Sequence, residues 1–399
     1  MAYILQDSTI FDTQLNPFDV YYLSVGNNIF NSQLNSVSPA IRWAVLNNLT
    51  DDQFMNRAAK VGNVEIVKYL HEKGLLWDEE TCASAARGGR LDVLQYLHEN
   101  GCPWDEFTSG AAANRGHLDC LIYAHENDCE WSIYTCRDAA IDGSLNCLIY
   151  LHEEGCPWEE GACSAAAIGG HLNCLIYAHE NDCPWNESTC ASAARYDHRD
   201  CLDYARERGC PWDEKTCAAA AGGGQLDCLI YVRKQGCPWD EKTCSQAAAL
   251  GHLDCLTYAH EEGCEWDEST CALAAEGGHL DCLVYAHKNG CPWNEDTCSF
   301  AADGGHLDCL IYAHENNCPW DERTCSQAAT YGHLDCLIYA HKNGCSWDRW
   351  TILLAVQNGH LDCVIYAVEN GCPIDPKDIF RISEKHPEIH NYLLSLKYR

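Results

Sequence analysis

Basic residues are scarce in this chain. Lys and Arg together number 26 against 59 Asp and Glu, which leaves a formal net charge of −33. A surface of that sign repels phosphate backbones and anionic lipid headgroups, so nucleic acid and membrane surfaces are excluded as first readings. Long apolar runs are missing too: no stretch approaches the eighteen or so residues that a membrane span needs. Met1 to Leu15 have no basic start followed by an apolar core, so no secretory signal is expected. A singular catalytic motif is also lacking. Gly222-Gly223-Gly224 is too short and wrongly placed for a phosphate loop. The acid–base residues recur along the whole chain, whereas a catalytic cleft is singular and convergent. The expectation is a protein that is not an enzyme and needs no cofactor.

Cysteine, by contrast, is abundant. Thirty in a short secreted chain would mean a disulfide scaffold, but in 399 residues without a visible export signal they read as reduced thiols of a cytosolic or nuclear protein. Their placement is regular. Trp77, Trp104, Trp131, Trp158, Trp185, Trp212, Trp239, Trp266, Trp293, Trp320 and Trp347 are each 27 residues apart, and the frame extends to twelve units over residues 50–373. With tryptophan as position 1, all thirty cysteines fall at positions 6, 17 and 26, and seventeen of nineteen histidines at positions 14 and 22.

Each unit reads as two short helices. The first starts near Asp105-Glu106 or its equivalents, where acidic side chains favour a helix N-terminus, and stops at the glycine of position 13. The second runs from position 14 to about 24, as in His306 to His314, and ends at Gly-Cys-Pro. Neither is long enough to be stable alone, so neighbours must supply the burial.

The segment Ala247-Ala248-Ala249-Leu250-Gly251-His252-Leu253-Asp254-Cys255-Leu256 resembles the helix–turn–helix of ankyrin repeats, and some version of it recurs in every unit. Two departures stand out. The family's T-P-L-H start is replaced by E/K/S-T-C-A/S, and the unit has 27 residues where ankyrin repeats have about 33. The missing residues are those of the projecting β-hairpin. The resemblance therefore implies an all-α, elongated ankyrin-like solenoid with reduced hairpins, capped at both ends. Cysteine-rich short repeats of this kind also resemble those of ankyrin proteins from giant DNA viruses of amoebae.

Aligned to that family, positions 6 and 17 replace core leucine and valine, and position 26 a small alanine. Ile66 and Val93 at position 17, Leu75 at position 26 and Ile352 at position 6 are core exchanges. The rival reading is a metal array in which His279, Cys282 and a facing position-6 cysteine act as ligands. Against it, Asn63, Arg90, Ser144 and Gln225 replace the histidine while Cys147 and Cys228 persist. No metal is expected, and a ladder of disulfides is disfavoured in a reducing compartment. The position-14 histidine is expected to bond backbone at the inter-helix turn, as in the resembling family. The position-22 histidine is expected to close the second helix. The tryptophans replace a buried valine and should stack as a hydrophobic spine; an aromatic nucleic-acid platform is opposed by acidic positions 2, 3 and 16.

Positions 4, 8, 11 and 12 vary freely between units, and their spacing puts them on one face of the first helix. In ankyrin arrays that face lines the concave surface. Phe107, Tyr134, Asp138, Tyr196, Lys215, Lys242, Phe300, Arg323, Tyr331 and Trp350 are the candidate partner-binding residues, rich in the aromatic and basic types that anchor interfaces.

The two ends differ from the array. Residues 374–399 break the frame with Ile374, Pro376 and Pro387, and can form two capping helices. Residues 1–36 carry Ile10-Phe11, Leu15, Pro17, Val20 and Leu23, which resemble an F-box without its L-P-x-E-I opening; residues 37–49, with Trp43, read as a connecting helix. The F-box resemblance implies docking on a cullin-type ubiquitin-ligase adaptor. The reading that follows is a protein-binding array, used as a ligase substrate receptor. Its rival is a structural or scaffold protein of a larger assembly such as a virus particle.

Overall fold

The computed structural model describes residues 53–158, 161–374 and 376–396. Among them every element is a helix and no strand forms. The chain divides into two compact units, one ending at Trp104 and one beginning at Asp105. The first unit holds two described helix pairs, Phe54–Val61 with Val64–Glu72 and Glu79–Arg87 with Leu91–Glu99. The second holds ten, from Glu106–Asn114 with Leu118–Glu126 to Arg349–Asn358 with Leu361–Glu369, followed by Pro376–Ser383 and Pro387–Leu396. The F-box-like residues Ile10, Phe11, Leu15, Pro17, Val20 and Leu23, and the expected connecting helix over 37–49, lie outside the described residues.

The repeat starting at Trp266 shows how local sequence sets each pair. Asp267, in extended backbone, caps the first helix Glu268–Glu276 by accepting from the Ser269 N–H. The same side-chain cap recurs at Asp105, Asn186, Asp213, Asp240, Asn294, Asp321 and Asp348. The acidic column at position 2 is therefore a row of caps, which is why asparagine substitutes there. The helix closes where the His279 N–H reaches back to the Ala274 carbonyl at 2.9 Å, with Gly278 at φ 73°. This is the left-handed closure that glycine favours. The second helix, Leu280–Lys288, ends in the same way: the Cys291 N–H bonds the Ala286 carbonyl at 3.0 Å behind Gly290. Residues 289–294 then link directly to the next first helix, Glu295–Asp303, where the ankyrin family has its hairpin.

The core comes from both helices. Cys271, Ala274 and Ala275 of the first and Cys282, Leu283 and Ala286 of the second are fully buried. Alanines let the first helices lie close together. Glu241–Ala249 packs on Glu268–Glu276, and that on Glu295–Asp303, more extensively than the second helices pack on one another. All thirty cysteines are buried free thiols. The pair after the last full repeat follows the same plan, burying Ile379, Ile389 and Leu393 against the preceding helices.

Two glycine columns differ in what surrounds them. Gly263 at position 25 has φ +81° and nothing within 4 Å of where a Cβ would stand. Asp128, Asp182 and Asn317 take that left-handed conformation elsewhere at this position. Gly251 at position 13 has φ +75°, but a Cβ there would meet the His279 ring at 2.5 Å. One exception supports this reading. Asp197 stands at position 13 with φ 58°, and the next unit carries Gln225 instead of histidine, its amide turned back to the Gly223 carbonyl at 2.9 Å.

Candidate functional site

The candidate binding residues all lie in the second unit. Phe107, Lys215, Lys242, Arg323 and Trp350, at position 4, lie in the first turn of their first helices, two residues past the cap, and Tyr134 is itself the N-cap residue of its helix. Phe107, Tyr134, Lys215, Lys242, Arg323 and Trp350 are exposed there, Phe107 to 67%. Tyr331, at position 12 at the end of a first helix, is exposed to 54%. Position 8 sits deeper, between successive first helices: Asp138 and Phe300 are half-buried, as is Tyr196 at position 12.

The face is not uniform along the chain. Most aromatics of the face fall in its first two repeats, with Phe107 and Tyr134, and in its last three, with Phe300, Tyr331 and Trp350, Tyr196 alone standing between. Between them position 4 is small, polar or basic. The basic members Arg323 and Lys215 are paired with neighbouring acids. Arg323 reaches Asp296 of the preceding repeat at 2.7 Å and its own Asp321 at 2.9 Å, and Lys215 reaches Glu187 at 3.3 Å. These are surface pairs, screened by water and weak contributors to stability. Asp138 pairs with Arg137 at 3.3 Å, yet burial raises its carboxyl above the ordinary range. Arg137 also lies over the Tyr134 ring at 4.6 Å.

Two further exposed apolar side chains join the face beyond those the sequence pattern marks. Ile133, 46% exposed, precedes Tyr134, and Leu250 is 42% exposed at position 12. The sequence does carry a signal for Ile133, because it stands at position 3 where the other units have Asp or Glu or, once, Arg.

The tryptophan column corrects an expectation. All eleven are half-buried, and they do not form a spine by stacking on each other. Each meets the position-22 side chain of the preceding repeat instead. His287 stacks on Trp293 at 3.8 Å, His314 on Trp320 at 3.9 Å and His341 on Trp347 at 3.7 Å between centroids. The same histidine bonds a tyrosine hydroxyl of the next repeat, as His287 Nδ1 does with Tyr312 at 2.9 Å. Position 22 therefore does more than sit as a cation at a helix end. It joins one repeat to the next. Where arginine replaces histidine, Arg206 lies over Trp212 at 3.7 Å and Arg233 over Trp239 at 4.2 Å.

Of the position-14 histidines, His198 bonds backbone as expected, but it reaches the turn of the preceding repeat. His198 Nε2 donates to the Ile168 carbonyl at 2.9 Å, and in the closing helix pair His386 Nε2 donates likewise to the Gln357 carbonyl at 3.0 Å. This turns the column away from the cysteines with which it would have to share a metal. His279 faces Gly251, while Cys282 is fully buried and burial pushes its thiol up to about 12. No group of three or more metal-ligating side chains that could hold an ion occurs among the described residues. No helix among them is long and apolar enough to cross a membrane.

No family model matches the chain, and no curated protein matches it. Among solved structures, the chain is similar to the ankyrin repeat domain of human ASB11, at 17% identity and a TM-score of 0.38, over 45% of this chain and 96% of that one. It is also similar to the pentatricopeptide repeat protein PPR10 in complex with an 18-nt psaJ RNA element, at 14% identity and a TM-score of 0.35, over 89% of this chain and 65% of that one.

Proposed function

We propose that the protein is a non-enzymatic binding module that holds protein partners on the first-helix face of its repeat array. The observation that carries this is the exposure of three large apolar side chains in adjacent repeats, Phe107, Ile133 and Tyr134, on a face whose composition favours a partner. The acidic balance of the chain disfavours RNA or DNA on that face, because a phosphate backbone would meet a net charge of −33. A partner with apolar anchors and a basic rim suits it better.

In the fuller version of this proposal, residues 1–36 dock on a cullin-type ubiquitin-ligase adaptor through Ile10, Phe11, Leu15, Pro17, Val20 and Leu23, and the array presents a captured substrate. The test is affinity capture with three full-length baits: wild type, F107S/I133S/Y134S, and L15A/P17A. Partners lost only with the first variant, at unchanged circular dichroism and melting, support the binding face. Cullin-ligase subunits lost only with the second support the receptor reading. If wild type retains no ligase subunits, the receptor version fails and a scaffold role remains. If the triple variant keeps every partner, the proposed face is wrong.

A further inference from the structure

The cysteine columns are not three independent strips of core. In eight repeats the position-6 and position-26 cysteines of the same repeat are neighbours, Cys136 with Cys156 and Cys163 with Cys183 among them, and the resting position-26 thiol donates to the position-2 carbonyl, as Cys210 does to Asn186 at 3.3 Å and Cys345 to Asp321 at 3.1 Å. The approach is visible in other contacts too. The Cys163 thiol lies 3.8 Å from the Cys183 carbonyl, and where serine replaces the first cysteine, the Ser109 hydroxyl donates to Cys129 Sγ at 3.4 Å. Position 17 takes no part in these pairs.

A second feature points at the same sulfur. The threonine of position 5 is fully buried, and in eight repeats, Thr243 and Thr324 among them, its hydroxyl finds no hydrogen-bond partner while the thiol is neutral. A deprotonated sulfur would supply one. Thr243 is placed to donate to a Cys264 thiolate, and Thr324 to a Cys345 thiolate. In six of these eight repeats the position-26 thiol also lies nearest the surface of the three columns, as Cys156 does at 3% exposed where Cys136 is 1% and Cys147 is 0%; Cys210 and Cys237 are fully buried. Hydrogen bonding from Cys136 holds Cys156 below the ordinary thiol range, whereas burial pushes Cys147 up to about 11.

We propose that each such repeat carries a redox-active dithiol, in which the position-26 cysteine is the peroxide-reactive thiol and the position-6 cysteine resolves it to a disulfide. The position-26 thiolate attacks one oxygen of hydrogen peroxide, the O–O bond breaks, and sulfenic acid and hydroxide result. The position-6 sulfur then attacks the sulfenic sulfur. Its proton leaves with the sulfenic hydroxyl as water, and the S–S bond forms. Two thiols and one peroxide give one disulfide and two waters, the peroxide being reduced by two electrons. The resting protein remains fully reduced, and closure ties the start of a first helix to the turn after its second helix.

The chain holds its own controls. Cys129 and Cys372 face Ser109 and Ile352 where a resolving cysteine would stand. The experiment treats the folded full-length protein with limiting hydrogen peroxide, unfolds and alkylates it, and maps thiols and disulfides by mass spectrometry. Expected are the bonds Cys136–Cys156, Cys163–Cys183 and Cys244–Cys264, with position-17 thiols alkylated and Cys129 and Cys372 outside any disulfide. In C136S, a substitution the chain itself carries at the equivalent Ser109, the first bond should vanish and Cys156 should become trappable by dimedone, with circular dichroism unchanged. Oxidation spread evenly over the three columns, or disulfides joining position 17, would overturn the proposal. So would position-6 and position-26 thiols that stay as reduced as Cys147.

Discussion

His287 lies 3.8 Å from Trp293, centroid to centroid, with the two rings 14° from parallel. The residues belong to successive repeats, so this contact is a joint between them. The joint is completed by the Tyr312 hydroxyl on His287 Nδ1. The chain itself contains the substitution series: arginine stacks on tryptophan at Arg206 and Arg233, and where tryptophan gives way to Ile374, position 22 has become Val368. His287→Ala and Trp293→Ala should each lower the urea midpoint. In a double-mutant cycle the two should be coupled by about 0.5–1.5 kcal/mol. His287→Arg should stay within about 0.5 kcal/mol of wild type, since its charge can sit over the indole face. An additive cycle would mean that the rings pack independently.

The fold is legible from the sequence because a 27-residue period repeats its own caps, stops and core positions. Gly278 and Gly290 mark helix ends by the backbone they permit, and Leu283 marks the core by its place in a helical pattern. What a single repeat does not reveal is contact across repeats. His287 and Trp293 are six apart in sequence and look like a helix end and a loop start; only stacking makes them partners. The position-14 histidine is recognisable as a backbone-bonding group, yet the acceptor of His198 is 30 residues upstream at Ile168. Position 12 looks freely variable, but a Cβ on Gly304 would stand 2.2 Å from the Glu276 carbonyl, so its glycines have a packing reason. The candidate face at Phe107 and Tyr134 follows from variation between units, while Ile133 is marked only by its break in the acidic column at position 3.

Gly251 and Gly263 have similar backbones and different neighbours, which separates strain from crowding. Gly263→Ala meets open space, so its cost should be that of a left-handed alanine, about 1–2 kcal/mol. Gly251→Ala adds a Cβ within 2.5 Å of the His279 ring. Overpacking should add about 1–3 kcal/mol to the backbone cost. Urea unfolding of the two variants measures the difference. Combining Gly251→Ala with His279→Gln, as the chain does at Asp197 and Gln225, should recover most of the crowding part. Equal losses in the two single variants would show that the ring yields without cost.

Burial, assisted by Lys288, holds His287 below its ordinary value of 6.5. The unfolded ring therefore takes up its proton first as the pH falls, and the native state lags behind. The contribution of this residue to stability is complete above pH 6.5 and is lost as the pH falls through the lower native value. With its proton on Nε2 the neutral ring accepts from the Tyr312 hydroxyl at Nδ1; protonation makes Nδ1 the donor and the hydroxyl oxygen the acceptor. Titration of the His287 Cε1 proton by NMR should give a midpoint below 6.5. His287→Gln should lessen the loss of stability on acidification over this window. A midpoint at or above 6.5 would contradict the buried, neutral placement.

Cys282 offers a choice between a hydrophobic and a ligating sulfur. It is fully buried, its thiol is pushed up to about 12 by burial, and Val93 and Ile66 stand at the same position in other repeats. A neutral thiol is a poor ligand for zinc, which binds thiolate. Cys282→Val should therefore cost no more than about 1.5 kcal/mol, as size-conserving core exchanges do. Cys282→Ser keeps the shape but buries a hydroxyl whose hydrogen bonds are incomplete, and should cost about 1–3 kcal/mol. Washing the purified protein with EDTA should leave its melting temperature and helical signal unchanged, because the fold rests on packing at this column. If a metal held it instead, valine and serine would be equally damaging, and the chelator would reproduce both. Zinc bound in proportion to the number of repeats would reverse the assignment.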